Sequence, residues 1–385
     1  MKRRNAKQTV IVLLAAAALG AAALTGCGDS AESTDTTETT DSASAETADE
    51  TADATDDTSA DTDYGDFVLK IGTASGSLCV APLHIAEDLG YFDEEFDAIG
   101  VDYELVEVDF MTIGDIVASG QIDASLCLAG VMIPQMDSGL ETVFTAGLHT
   151  GCTKYYVLED SGIESVADLK GKTIGVPGAS DSSTVALKRK LTDEGIGAST
   201  ENMEVEFTVY NLTDLPLALE NGAVDVIALH EPVATQAEEE YSDFVKILDL
   251  TTDEKFMYEY CCSSFVTTEV AEEYPEVAAA FTRAVMKAAA YVEANPQETA
   301  ELQIENGQID GDADTYAEIL ESFNYAPDVE AMEQTLINVY EDLVEIGDMT
   351  SGADIETFAA EHMVALDGVP NSYTYNDDGT FTEVE

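Results

Sequence analysis

Three of the four histidines in the chain, His84, His149 and His230, stand near cysteines or short polar loops. Cys79 precedes His84, Cys152 follows His149, and Cys127 precedes Gly130. Imidazole and thiolate suit zinc, copper or iron, so one reading is a soft metal or metal-containing ligand held by His84, His149, Cys152 and His230. The other reading makes each free cysteine a small core residue and each histidine a hydrogen-bond partner of an ordinary organic molecule. No pair has the CxxC or HxxxH spacing of a dedicated centre, so the second reading is preferred and no metal or cofactor is assigned. Cys261-Cys262 is read as packing.

Polar loops supply the remaining candidates. Ser75-Gly76-Ser77 follows an apolar alternating run and precedes a helical one, which leaves backbone N–H groups free at a helix start. Gly178 to Thr184 repeats the pattern with more hydroxyls, and Ser180, Ser182 and Ser183 can contact a polar ligand or simply cap the helix. Gly130, Thr150 and Glu231 end other strands and complete a ring of candidate contacts with Cys79, His84, His149 and His230. Lys154 is the only basic residue near these loops, a poor complement for a small inorganic anion. A neutral or aromatic heterocycle held by Ser, His and Tyr155 or Tyr156 fits at least as well.

Two α/β units must position these loops. Phe67–Thr73, Val101–Asp109, Ile122–Leu128 and Val143–Leu148 read as strands, with helices over Pro82–Leu89 and Gly114–Ser119. The pattern restarts with strands Lys172–Val176, Met203–Tyr210 and Val224–Leu229 and helices Thr184–Leu191 and Leu215–Glu220. Such alternation implies parallel pairing with helices on both faces. Tyr155–Leu158 and Ser264–Thr267 look like extended segments crossing between the units. Helices are expected over Val277–Glu293, Thr299–Glu305, Ala313–Ser322 and Val329–Ile346, and the tail from Tyr373 adds a strand or frays.

The N-terminus sets the compartment. Lys2, Arg3, Arg4 and Lys7 precede an apolar run, Val10 to Leu24, shorter than the roughly 20 residues of a spanning helix. Leu24-Thr25-Gly26-Cys27 resembles a bacterial lipobox, which implies lipidation of Cys27 and a membrane anchor on the extracytoplasmic side. Residues 28–65, nearly all Ser, Thr, Ala, Asp and Glu, cannot bury enough apolar surface to fold and read as an acidic tether. The formal charge of -63 argues against nucleic acid and anionic lipid surfaces as partners. Five cysteines beyond Cys27 leave at least one thiol unpaired within a single chain.

A family resemblance now emerges. Leu83-His84-Ile85-Ala86 with Gly90-Tyr91-Phe92, Gly120-Gln121-Ile122-Asp123-Ala124, Ser165 through Val176, Glu231-Pro232 and Ala294-Asn295-Pro296 are similar, in order and spacing, to solute-binding proteins of ABC importers. The group is that for nitrate, sulfonate, taurine and pyrimidine precursors. The resemblance implies an α/β, two-lobed type II periplasmic-binding-protein fold, with mixed sheets flanked by helices and a ligand cleft between lobes. The expected boundaries are residues 1–27 signal peptide, 28–65 tether, 66–157 first lobe, 158–262 second lobe, and 263–385 return to the first. The expected partners are a small-molecule solute and the permease subunits, with the receptor a monomer. No GxSxG, HExxH or P-loop pattern occurs, so a binder rather than an enzyme is expected. A metal receptor, a sensory surface receptor and an enzyme similar to the pyrimidine synthase of this fold remain the alternatives.

Overall fold

The computed structural model describes residues 64 to 384; the signal segment, Cys27 and nearly all of the acidic tether lie outside them. In chain order the first part comprises β1 (Val68–Thr73), α1 (Ala81–Asp88), α2 (Tyr91–Ile99), β2 (Asp102–Glu107), α3 (Ile113–Ala118), β3 (Ala124–Leu128), α4 (Ala129–Asp137) and β4 (Thr142–Thr150). Next come β5 (Thr153–Leu158), β6 (Thr173–Val176), α5 (Ser182–Asp193), β7 (Glu206–Val209), α6 (Leu215–Glu220), β8 (Val226–His230), α7 (Val233–Glu240) and β9 (Phe244–Asp249). The last part holds β10 (Tyr260–Thr267), α8 (Thr268–Glu273), α9 (Pro275–Ala294), α10 (Pro296–Glu305), α11 (Ala313–Ser322), α12 (Val329–Ile346), α13 (Ile355–His362), β11 (Ser372–Tyr375) and β12 (Phe381–Val384).

Two five-stranded sheets carry the architecture, ordered β2-β1-β3-β10-β4 and β7-β6-β8-β5-β9. Pairing is parallel among β1, β2 and β3 and among β6, β7 and β8, as strand–helix alternation requires. It is antiparallel wherever β10, β5 or β9 takes part. The two segments expected to cross between units are therefore strands inside the sheets. Tyr155–Leu158 belongs to β5 in the second sheet, and Ser264–Thr267 to β10 at the heart of the first. The chain passes between sheets earlier, at Gly151-Cys152, and returns between Leu250 and Tyr260. Those points replace the expected boundaries after residues 157 and 262.

Burial explains why β10 was hard to read. Cys262, Ser263, Ser264, Phe265 and Val266 are all buried in sequence, because helices cover both faces of this strand. Ser264 satisfies its hydroxyl on Thr145 at 2.7 Å, so polar residues occupy a core strand without an open partner. Each sheet accordingly packs apolar side chains on both faces. On one face of the first sheet lies α9, whose alanines 278 to 280, 284 and 288 to 290 are all buried. Small side chains there let the helix axis approach the strands closely, and Phe281, fully buried, fills the space beside it. On the other face sit α4 and α12.

The crossings are tight. A Cβ on Gly151 would stand 2.7 Å from the carbonyl carbon of Leu250, so the outgoing and returning chains touch at a residue with no side chain. Among the described residues no helix is long and apolar enough to cross a membrane.

Candidate functional site

The strand ends of the two sheets meet across α4 and α5. Gly130 in α4 faces Ser182 and Val185 in α5, where an added Cβ would find Val185 Cγ1 at 3.5 Å and Ser182 Cα at 3.6 Å. Lys188 reaches Asp348 at 2.7 Å, and Arg189 reaches Asp342 of α12 at 2.7 Å. Arg189 also makes a two-pronged pair with Glu259 at 2.7 and 2.9 Å. Its side chain is only 4% exposed, so this is a desolvated ionic contact and not a surface pair. The lobes are thus drawn together over a cavity of about 50 Å³ lined by Gly130, Ser182, Val185, Arg189, Tyr260 and Cys261, among others.

On the second-lobe side, Asp181 caps α5. Its Oδ1 accepts from the Ser183 amide at 2.9 Å, from the Ser183 hydroxyl, and from His230 Nε2 at 2.8 Å. His230 Nδ1 meets Thr153 Oγ1 at 3.0 Å. Burial alone would lower the pKa of His230; the Asp181 carboxylate reverses this and pushes it up to about 9. Burial likewise works against the charge on Asp181, and the His230 imidazolium holds its pKa below the usual range. Ser183 bonds the carboxylate and not the imidazole, so these three residues do not form an activated nucleophile. Two polar atoms stay buried without a partner here, Asp181 Oδ2 and Ser182 Oγ.

On the first-lobe side, thiols converge. Cys79 Sγ, a ring nitrogen of His149 and Cys262 Sγ lie within 4.8 Å of one another, and Cys152 Sγ is 3.2 Å from Cys261 Sγ. Hydrogen bonds from Cys152 and Cys262 hold the thiols of Cys79 and Cys261 well below the usual range, while those two donors are pushed up. His149 is fully buried and stacks on Phe323 with ring centroids 5.0 Å apart. Its Nδ1 lies 2.7 Å from the Thr150 carbonyl, and its Nε2 has no hydrogen-bond partner. Burial would lower its pKa, but the neighbouring Cys79 raises it. All five cysteines beyond the signal segment are free.

Several expected contacts are already committed elsewhere. The Ser75–Ser77 N–H groups do not stand open: the Ser75 amide donates to Glu107 at 3.1 Å and the Gly76 amide to the Gln308 carbonyl at 2.8 Å. Ser77 caps its own one-turn helix through the Cys79 amide. His84 lies in the core of the first lobe, with Nε2 3.0 Å from the Ala74 carbonyl and Nδ1 2.9 Å from Gln303 Nε2. Burial lowers its pKa, so it is a neutral, doubly bonded core residue and does not join the metal set read for it. Thr150 bonds the Phe323 carbonyl through its amide and its hydroxyl. Glu231, 4% exposed, pairs with Lys154 and accepts from the Thr235 amide at 2.9 Å. Ser180 is exposed.

The structure therefore brings together Cys79, His149, Cys152 and His230 of the expected residues, with Gly130, Ser182 and Ser183 nearby. It adds Cys261 and Cys262, which sequence reasoning set aside as packing, and Arg189, Asp181 and Tyr260. Cys127 stays apart in the core, its thiol raised by burial and 3.8 Å from the Ser263 carbonyl. Lys154 and Arg189 are both neutralised by carboxylates, so neither stands free for a bare anion.

Residues 79–299 match the family model described as NMT1/THI5 like. No curated protein sequence matches the chain. Among solved structures, the periplasmic aliphatic sulphonate-binding protein of Escherichia coli is similar with a TM-score of 0.60 and 17% identity, over 78% of this chain and 92% of that one. The periplasmic nitrate-binding protein of Synechocystis PCC 6803 is similar with a TM-score of 0.61 and 15% identity, over 82% and 95%. The two-lobed fold of these binding proteins is the fold found here.

Proposed function

The chain belongs to the NMT1/THI5-like family, and we propose that it is the extracytoplasmic solute-binding component of an ABC importer, anchored through lipid on Cys27. One observation carries the reading. Buried polar atoms without a hydrogen-bond partner occur in both lobes, His149 Nε2 in one and Asp181 Oδ2 and Ser182 Oγ in the other, and Ser182 lines the cavity between α4 and α5. Leaving such groups unsatisfied costs about 1–3 kcal/mol each, so the arrangement is one that a captured molecule stabilises. Neutralised Lys154 and Arg189 favour an uncharged or cationic solute over nitrate or a sulfonate. Opening and closing of α5 against α12 would supply the two states that a transporter can read. Ser183 donates to Asp181 and not to His230, so no serine nucleophile is oriented, which supports binding rather than catalysis.

The test is native mass spectrometry of the mature chain purified without denaturation, followed by small-angle scattering with and without the molecule released. One small molecule per chain and a smaller radius of gyration in its presence are expected. A chain whose dimensions are unchanged by every solute that raises its melting temperature overturns the closure reading. Separately, Cys27→Ala should move the protein from the membrane fraction to the soluble one; retention in the membrane removes the anchor.

A further inference from the structure

The thiol and imidazole cluster has a property that packing does not explain. Its members come from four separate places in the chain: the one-turn helix after β1, the end of β4, the crossing at Cys152, and the start of β10. Cys79 Sγ, a His149 ring nitrogen and Cys262 Sγ fall within 4.8 Å of one another. Tetrahedral ligands at about 2.3 Å (sulfur) and about 2.0 Å (nitrogen) from an ion stand roughly 3.5 Å apart. Small side-chain movements close the observed triangle onto an ion. Cys152 and Cys261, 3.2 Å apart, stand against the same thiols and offer the fourth ligand.

His149 points to the same conclusion independently. Its Nδ1 faces the Thr150 carbonyl, a contact that requires the proton on Nδ1 and leaves the Nε2 lone pair exposed to the cluster. A backbone carbonyl on one ring nitrogen is how proteins orient a histidine whose other nitrogen binds metal. Phe323 stacks on the ring and Tyr325 stands tilted beside it, with centroids at 5.0 and 4.8 Å. The orphaned Nε2 has no role in thiol packing or in a disulfide.

We propose that Cys79, His149 and Cys262, completed by Cys152 or Cys261, bind a thiophilic d¹⁰ metal ion, zinc(II) or copper(I). Thiolate and imidazole together select these ions over magnesium or calcium. Each ligating thiol surrenders its proton to solvent as the sulfur–metal bond forms. The proposal deepens the solute-capture reading and rests on it only for the claim that the ion is cargo.

The full mature chain, kept reduced and stripped with chelator under nitrogen, is titrated with zinc chloride or with copper(I) buffered by a competing chelator. Bound metal is counted by elemental analysis. One equivalent of either ion is expected, and the competing chelator tells which is held more tightly. His149→Gln and Cys262→Ala should each weaken uptake by about 100-fold or more. Cys127→Ala, a buried thiol outside the cluster, should leave it unchanged. If the cluster variants fail to fold, cobalt(II) substitution of the wild-type chain provides the readout, through sulfur-to-metal charge-transfer absorption. No uptake at micromolar metal overturns the site, as does an equal loss in Cys127→Ala. Thiol counting under denaturing conditions that finds these four cysteines already oxidised in pairs also overturns it. Compaction by an organic solute without metal uptake would sink this site and spare the receptor reading. Metal uptake without compaction would do the reverse.

Discussion

The loops that open the first helix of each lobe look interchangeable as strings, Ser75-Gly76-Ser77 in one and Gly178-Ala179-Ser180 in the other, yet the lobes use them differently. In the first lobe the amides are bound by Glu107 and Gln308, and the loop's contribution is the thiol that follows it, Cys79. In the second lobe Asp181 caps the helix and fixes His230, while Ser182 keeps a buried hydroxyl without a partner. Glycine and serine before a helix thus mark a turn but do not say whether its donors are free. Where the donors go depends on residues far away in the chain.

That contrast can be broken most easily at Asp181. Asp181→Ala removes a cap worth about 1 kcal/mol and strands His230, for a total loss of roughly 2–4 kcal/mol in urea unfolding. Ser77→Ala, the corresponding cap of a single turn, should cost no more than about 1 kcal/mol. Equal losses would mean that the two loops do the same job after all.

The buried histidines sharpen the comparison through pH. His84 has a folded pKa below its ordinary value because of burial, whereas the unfolded chain binds a proton near 6.5, to within about a unit. Its contribution is therefore complete above that value and is lost as pH falls toward the folded pKa. His84→Gln should cost about 1–2 kcal/mol at pH 7, and less at pH 5, where the wild type has lost this share. A cost that grows on acidification would give His84 a charged role and return it to the site.

The smallest effects concern two serines. Ser75→Ala, at an exposed position, should change stability by less than about 0.5 kcal/mol. Ser182→Ala removes an unpaired buried hydroxyl and should be neutral or stabilising by up to about 1 kcal/mol without solute. A clear loss at Ser182 would reveal a partner for that hydroxyl within the protein.

Local signals described the helices well. Leu215–Glu220, Ala313–Ser322 and Val329–Ile346 were legible to the residue, because Asp312 and Asp328 cap two of them and Pro216 stands in the first turn of the other. Five helices escaped, α2, α4, α7, α8 and α13, and two of them show why. The first, α2, begins directly after Gly90 ends α1. The second, α4, contains Pro134, a breaker by local rules, and is held by buried Met132, Ile133 and Met136. The metal-like cluster was half visible, since Cys79, His149, Cys152 and His230 were singled out by type and loop position. Cys261-Cys262 was not, because its meaning comes from β10 returning antiparallel beside β4 and setting Cys262 opposite His149. No spacing along the chain encodes a pairing between residues so far apart.

One helix joins the two halves of this mechanism. The same 12 residues of α5 carry Ser182 at one end and Lys188 and Arg189 farther along, where they engage Asp348 and Asp342; Ser182 and Arg189 both line the cavity. A rod of that length spans about 18 Å and does not bend cheaply. A displacement at its tip would be delivered as a tilt at its grips, so in the proposed receptor a molecule entering beside Ser182 would alter how firmly the ionic bolts close.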